Sequence, residues 1–598
     1  MVRSFLCFLA CLGGIASALA SDAPQWTELH SNHFTVLTDA DQKKGSEVVV
    51  RLEQMRSVFA DLLHRPRLSQ PVPLNVIALR DDQQYYALAP QHDGKPIDAP
   101  GFVLRSRDHD LVVLNLVAAE PWRAVAHDLA HIWIDGNYPP TQTWFDEGLA
   151  QYFASIRADD KHVELGGDPE APALADLLSK SAWLPWPELL ATHRGGEDVS
   201  RHTIYYAQSW MLMHYLITEK KFEATGTYFD LTQNQNVAIE QAVQQAYGMS
   251  VAQLDTTVHA HFKAWLGTPP FQYPSPVDAE TMAPSSRVVL EPDARAMLAE
   301  VAVRIPEHRQ QGTTELTALV QKFPESASPH RVLAWVAMQK KDWPKATEEI
   351  GNTLERDRRD PWSRFHLAQT KHLVALESGR DTQGLANMMT DLRVVLDWYP
   401  EFAEAYNLLA LARMEGGGFN AALESIQAAT RLAPRNDEYR LNMARIYTEG
   451  KKFEAAQALL ERLKASPDAQ VAAAAKQQLG DMAQIKKYGI PPRHVEKPKP
   501  ATEPEDEDEK RPVEAPPDTR PVHFIKGRIV SVDCSHAPEA VITLATAART
   551  LKMHVANTAA VLLIGTDAFS CTWHDVRASV NYKFGGKMDG DVVSVEVQ

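Results

Sequence analysis

Apolar and polar residues alternate over His33-Phe34-Thr35-Val36-Leu37 as in a strand, and the apolar runs Leu74-Asn75-Val76-Ile77-Ala78 and Leu111-Val112-Val113-Leu114 read as a second and a third strand. Between the first two, apolar positions over 46–64 recur at helical spacing, so residues 22–118 read as mixed α/β. The period then changes. Helices are expected over 122–135, 144–156, 173–180, 204–219, 222–232, 237–247 and 251–266, with breaks at Asn234 and Gly248. From about 290 the pattern repeats itself. Tyr406, Leu409, Ala410, Ala422, Ile426, Ala429 and Pro434 define one unit. Met443, Ala444, Ala456 and Leu463 recur one unit later, and Leu333, Ala334 and Ala346 hold the same offsets earlier. Residues 361–400 are a degenerate unit carrying an insertion, and about four units in all are enough to bury a shared core.

Small residues at fixed offsets let two antiparallel helices pack closely, and this phase resembles the tetratricopeptide repeat (TPR). Beyond the array, 491–521 is rich in proline and charge and cannot bury enough surface to order itself, so it reads as a linker. Short β-type runs follow at 527–530, 559–564, 580–582 and 592–595, the pattern of a small all-β barrel or sandwich. The expected organisation is therefore a segment 1–20, a domain over 21–270, helical repeats over 290–488, the linker, and a β domain over 522–598. The fold class is multidomain and mainly α.

A chain of 598 residues is too long for one core, in keeping with several domains. Its formal net charge of −16 and the lack of a Lys/Arg stripe exclude a nucleic-acid partner. The start of the chain has the marks of a signal peptide: Arg3, an apolar run to Leu19, and Ala18-Leu19-Ala20 as a cleavage site before Ser21. Export to the periplasm or outside the cell is expected, with no membrane span after cleavage. Cys7 and Cys11 leave with that segment; Cys534 and Cys571 remain, a disulfide candidate in an oxidising compartment.

The string with chemical content is His127-Asp128-Leu129-Ala130-His131. Residues four apart share a helix face, so His127 and His131 can offer two imidazoles to one ion. Trp144-Phe145-Asp146-Glu147-Gly148-Leu149-Ala150-Gln151-Tyr152-Phe153 begins the next helix, across the turn at Asn137-Tyr138-Pro139-Pro140. Glu147 can project back across that hairpin. Two His and one Glu are the three-ligand set of a catalytic Zn2+, with a fourth position left open.

These residues resemble the gluzincin, peptidase MA-like metallopeptidases. That group carries H-E-x-x-H on one helix and W-x-x-E-G-x-A-x-Y/F on the next, matched here by Trp144, Glu147, Gly148, Ala150 and Tyr152 or Phe153. Tyr206-Ala207-Gln208-Ser209-Trp210 and Ala246-Tyr247-Gly248-Met249-Ser250 are similar to the later helical half of such domains, so the resemblance covers roughly 25–268. It implies a zincin-like helical half, hydrolysis of a peptide or protein substrate, Zn2+ held by His127, His131 and Glu147, and an oxyanion-stabilising Tyr such as Tyr206, with Tyr205 the other candidate. Asp146 reads either as a partner orienting a His ring N–H or as a helix-start residue. His214 reads as structural and the pair His259/His261 as surface.

The chain departs from the family at one position. The family has Glu after the first His, where it moves the proton from the attacking water to the leaving amine; here that residue is Asp128. Asp is shorter by one C–C bond, about 1.5 Å, and a general base displaced that far loses on the order of a hundredfold in rate. Two readings follow. One is a zinc peptidase with Asp128 as base and a TPR array binding a protein partner. The other is a catalytically inactive, peptidase-like domain forming part of a TPR scaffold.

Overall fold

The computed structural model describes residues 25–65, 67–169, 173–191, 199–279, 281–378, 382–488, 520–546, 549–559, 561–564, 566, 568–586 and 588–597. The expected signal segment and almost all of the expected linker lie outside the described residues.

The N-terminal part is built on a six-stranded sheet in the order Ser285–Val289, Trp26–His30, Thr35–Thr38, Leu74–Leu79, Asp110–Asn115, Gly101–Leu104. Leu74–Leu79 runs parallel to both Thr35–Thr38 and Asp110–Asn115, and the pairings toward both margins are antiparallel. Leu74–Leu79 and Asp110–Asn115 are buried on both faces, which explains their near-continuous apolar sequence. Alternation sorts their side chains. Val76, Ala78, Val112 and Leu114 face the helix Gln42–Leu62, through Val48, Leu52, Met55 and Phe59. Ile77, Leu79, Leu111 and Val113 face the opposite side, with Tyr85, Ala294, Val301 and Ile305.

Those last residues correct the expected organisation. Strand Ser285–Val289 closes the sheet against Trp26–His30, and helix Glu291–Arg304 covers its second face. The sheet unit therefore runs past 270, and the helix expected to open the repeats is shared. It packs on the sheet and also against Arg309–Lys322 and Ala327–Gln339. A five-residue strand reading Ser-Ser-Arg-Val-Val, mostly exposed, has no burial pattern to announce it.

The helices expected over 122–268 form, with ends moved by a few residues, and the first begins as a 3-10 turn, Pro121–Val125. A small sheet of Arg157–Ala158, His162–Leu165 and Phe271–Pro274, not anticipated, lies beside them.

From Glu291 the chain forms TPR-like antiparallel helix pairs: Ala327–Gln339 with Trp343–Arg356, Ala403–Glu415 with Phe419–Leu432, Asp437–Glu449 with Phe453–Leu463. Ala334, Ala346, Ala410, Ala422, Ala429, Ala444 and Ala456 are fully buried, so the small-residue phase marks where helices meet. The degenerate unit is the pair Pro361–Ser378 and Thr382–Trp398, whose helices of 18 and 17 residues absorb its insertion. The last helix, Ala469–Tyr488, packs on the final pair. No helix among the described residues is long and apolar enough to cross a membrane.

The C-terminal part is a six-stranded sheet in the order Thr550–Val555, Ala540–Ala545, Val522–Asp533, Val576–Phe584, Gly590–Val597, Leu562–Ile564. Thr550–Val555 also pairs with Gly590–Val597, which closes the sheet into a small barrel. Of the strand expected over 559–564, Leu562–Ile564 forms, while Thr558 and Ala559 are tied to Pro538 and Asn557 in a turn. Cys534 and Cys571 form a disulfide.

Candidate metal centre

The helix Ala126–Asn137, hereafter the His helix, is held at both ends. At its start Arg123 donates to the Ile156 carbonyl at 2.9 Å. At its end Asn137 is buried, accepting from the Ser69 N–H at 2.7 Å and donating to the Ser69 and Trp133 carbonyls. Gly136 fits close beside Pro71, where a Cβ would lie 2.7 Å from the proline ring. Trp133 packs with Phe59 and Phe153. This fixes which face of the helix looks inward and leaves His127 and His131 on the opposite, half-buried face.

The helix Thr143–Ala154, the Glu helix, packs across it. The residues around Glu147 have separate physical jobs. Trp144 is fully buried, its Nε1 donating to Gln142 Oε1 at 2.7 Å, and it packs against Tyr228 and Phe229. Gly148 lets the long helix Val199–Thr218 approach: a Cβ there would sit 2.5 Å from the Ser209 carbonyl oxygen and 3.3 Å from Met213. Trp144 and Gly148, to either side of Glu147, thus set the depth and rotation of the helix that carries it.

The hairpin brings three ligand atoms together. His127 Nε2 and His131 Nε2 are 3.1 Å apart, and Glu147 Oε2 lies 3.6 Å from the first and 3.5 Å from the second. Among the described residues these are the one group of three His, Cys, Asp or Glu whose ligand atoms all fall within 4.8 Å of one another. A tetrahedral zinc with bonds of about 2.0–2.1 Å places its ligand atoms roughly 3.3–3.4 Å apart. The three observed separations straddle that edge length, and two imidazoles with one carboxylate suit the ion, so the residues present fit zinc. Burial opposes ionisation of Glu147, but hydrogen bonds and charge from His127 and His131 outweigh it and hold the carboxyl well below the usual carboxylate range. A His that binds through Nε2 carries its proton on Nδ1. His127 Nδ1 is buried without a hydrogen-bond partner among the described residues, so it lacks the outer support usual at such ligands.

Asp128 follows His127 in the first turn of the His helix and is half-buried. Tyr206 is half-buried on the long helix, one turn before the Ser209 contact with the Glu helix, with its ring beside that of Tyr205. Asp146 does not orient a His ring. Its carboxylate accepts from Thr141 and from both terminal nitrogens of Arg435, at 2.7 and 3.1 Å, because the turn of the repeat array at Ala433–Asn436 lies against the hairpin. Nothing in the sequence marks Arg435 beyond its place after Pro434.

The histidines farther along are corrected in part. His214 is buried, Nδ1 2.9 Å from His261 Nε2 and Nε2 3.1 Å from the Gly166 carbonyl oxygen; burial and the neighbouring His261 lower its pKa to about 4. His261 is therefore half-buried and engaged, and His259 stacks on Trp183 at 3.9 Å, so neither is a plain surface residue. They differ from expectation because helical residues two apart meet different neighbours, and both found one.

No protein-family model matches the sequence, and no curated protein does. Among solved structures it is similar to a thermophilic TPR protein of Thermus thermophilus, at 16% identity over 31% of this chain and 98% of that one, TM-score 0.26. It is similar to a TPR protein of Parabacteroides merdae at 10% identity, over 44% and 99%, TM-score 0.21. A third is YrrB, a TPR protein with an unusual peptide-binding site, at 17% identity, over 31% and 91%, TM-score 0.26. Likeness at that level carries no activity or ligand across.

Proposed function

We propose that this protein is an exported, zinc-dependent peptidase of gluzincin type whose helical array binds a protein partner. The observation that carries the reading is the convergence of two imidazole nitrogens and one carboxylate oxygen at 3.1–3.6 Å on a packed helical hairpin. His127, His131 and Glu147 hold the ion, which supplies Lewis-acid chemistry toward a peptide carbonyl and water. Asp128 takes a proton from the attacking water as its oxygen adds to the carbonyl carbon. It returns the proton to the amine as the C–N bond breaks. Tyr206 donates its hydroxyl proton to the developing oxyanion in a hydrogen bond.

Asp128 also supports a second reading, the inactive scaffold. A carboxylate in the first turn of a helix is favourable there whether or not it does chemistry, and Asp reaches about 1.5 Å less far than Glu. The two readings separate on the zinc-loaded full chain incubated with a mixed peptide library, with new amino termini as readout. The peptidase reading expects slow cleavage, abolished in Asp128→Asn and Glu147→Ala and faster by about a hundredfold in Asp128→Glu. Wild type that holds zinc and releases no new amino termini is the scaffold.

A further inference from the structure

We infer that Arg435 is a positioning residue of the metal centre, through which the helical array fixes the turn joining the two ligand-bearing helices. The inference rests on the zinc reading above. Arg435 lies between the repeat helices Phe419–Leu432 and Asp437–Glu449, 289 residues from Asp146, yet its side chain is only 16% exposed. Every donor group points into the hairpin. Nε donates to the Tyr138 carbonyl at 3.2 Å, Nη2 to Thr141 Oγ1 at 2.5 Å and Asp146 Oδ1 at 3.1 Å, and Nη1 to Asp146 Oδ2 at 2.7 Å. Tyr138 caps the His helix, its N–H bonding the Ile134 carbonyl, and Asp146 directly precedes the ligand Glu147. One side chain therefore grips the last residue after one ligand helix and the first turn of the other.

The turn between them is exposed at Pro139 and Pro140, and the separation of Glu147 from the two imidazoles depends on how the helices are set across it. A forked, planar guanidinium on a carboxylate fixes orientation as well as distance, which a lysine ammonium does not. Docking of the array does not rest on this contact. The Ala403 N–H bonds the Pro71 carbonyl at 2.9 Å, Glu401 accepts from the Gln70 N–H at 3.0 Å, and Arg304 binds Asp108 with two hydrogen bonds. Loss of the Arg435 fork thus loosens the hairpin while the array stays in place. Among the described residues His127 Nδ1 has no direct partner, and the fork is support that the array gives the hairpin.

The test uses the full chain, with zinc affinity measured by competition with a chromophoric chelator, and amide exchange over 138–146 measured without metal. Arg435→Met is expected to weaken zinc binding by about tenfold, the low end of the loss when a group hydrogen-bonded directly to a metal ligand is removed, and to speed exchange over 138–146. Arg435→Lys should fall between. Arg107→Met, which removes the exposed Arg107–Glu438 pair between the same two units, should leave both readouts unchanged. If Arg435→Met does not fold, Arg435→Lys carries the comparison. Wild-type affinity and exchange in Arg435→Met, in a protein that binds zinc, overturn this inference and leave the zinc reading standing. Wild type that takes up no zinc overturns both.

Discussion

Two clusters of histidine and carboxylate, one around His109 and one around His127, differ in what balances their charge. At the hairpin, Glu147 faces His127 and His131, with both Nε2 atoms turned toward the same oxygen. At the junction of sheet and array, Asp108 and Glu300 are buried with His109, His366 and Arg304. There Arg304 binds Asp108 at 3.0 and 2.9 Å and Glu300 at 2.7 Å. His109 completes the set, 2.8 Å from Glu300 and 3.4 Å from Asp108, its ring tilted over Trp362. The same residue types thus make two different things. At the junction a guanidinium inside the group makes an ionic lock; at the hairpin two imidazoles converge on one carboxylate oxygen.

The largest effect is expected at the lock. Arg304→Met leaves Asp108 and Glu300 buried without their guanidinium partner, and removing one partner of a buried pair typically costs about 3–5 kcal/mol. Urea unfolding should register a loss of that size. A stability within error of wild type would mean the junction carries little of the fold. At the hairpin, Gly148→Ala forces a Cβ to 2.5 Å from the Ser209 carbonyl oxygen, so backbone must move. Overpacking of this kind costs about 1–3 kcal/mol, and since Glu147 is the adjacent residue, zinc affinity should fall with stability. Unchanged zinc affinity would show that Glu147 does not depend on that helix crossing.

The smallest expected effect is on pH. Burial opposes charge on His109, but Glu300 and Asp108 outweigh it and raise its pKa, while Arg304 acts in the other direction. Burial likewise opposes ionisation of Asp108 and Glu300, yet His109 and Arg304 hold both carboxyls low, with His366 adding to the first and Arg331 to the second. The contribution of His109 to stability is complete below the unfolded imidazole value near 6.5 and is lost as pH rises through the higher folded value. The contribution of the carboxylates is present above their unfolded values near 4 and is lost as pH falls through the lower folded ones. Unfolding free energy should decline on the alkaline side of about pH 6.5 in wild type, and His109→Gln should flatten that decline. An identical slope in the variant would place the pH dependence elsewhere.

What could be read in the sequence was what depends on local spacing. His127 and His131 are four apart on one helix and Glu147 lies in the next, so the three side chains that converge at the hairpin are legible over one short stretch of chain. The buried alanines of the repeats are legible for the same reason, since their phase recurs. Contacts between distant segments leave no such mark. Ser285–Val289 completes a sheet begun at Trp26, and the pairing is encoded only by two short strands. Arg435 reaches the hairpin because the array folds back on it, and an arginine in a repeat turn is otherwise ordinary. The engagement of His261 is hidden because a helical spacing of two residues says nothing of what each residue meets, and His214 comes from another helix.

The metal centre is tested most directly by the zinc content of the 598-residue chain, purified without chelator and then supplied with zinc, measured by elemental analysis beside His131→Ala and Glu147→Ala. About one tightly held ion per chain is expected in wild type, lost in both variants with the fold retained. Wild type that stays free of zinc, or variants that keep it, would contradict the metal centre at the hairpin.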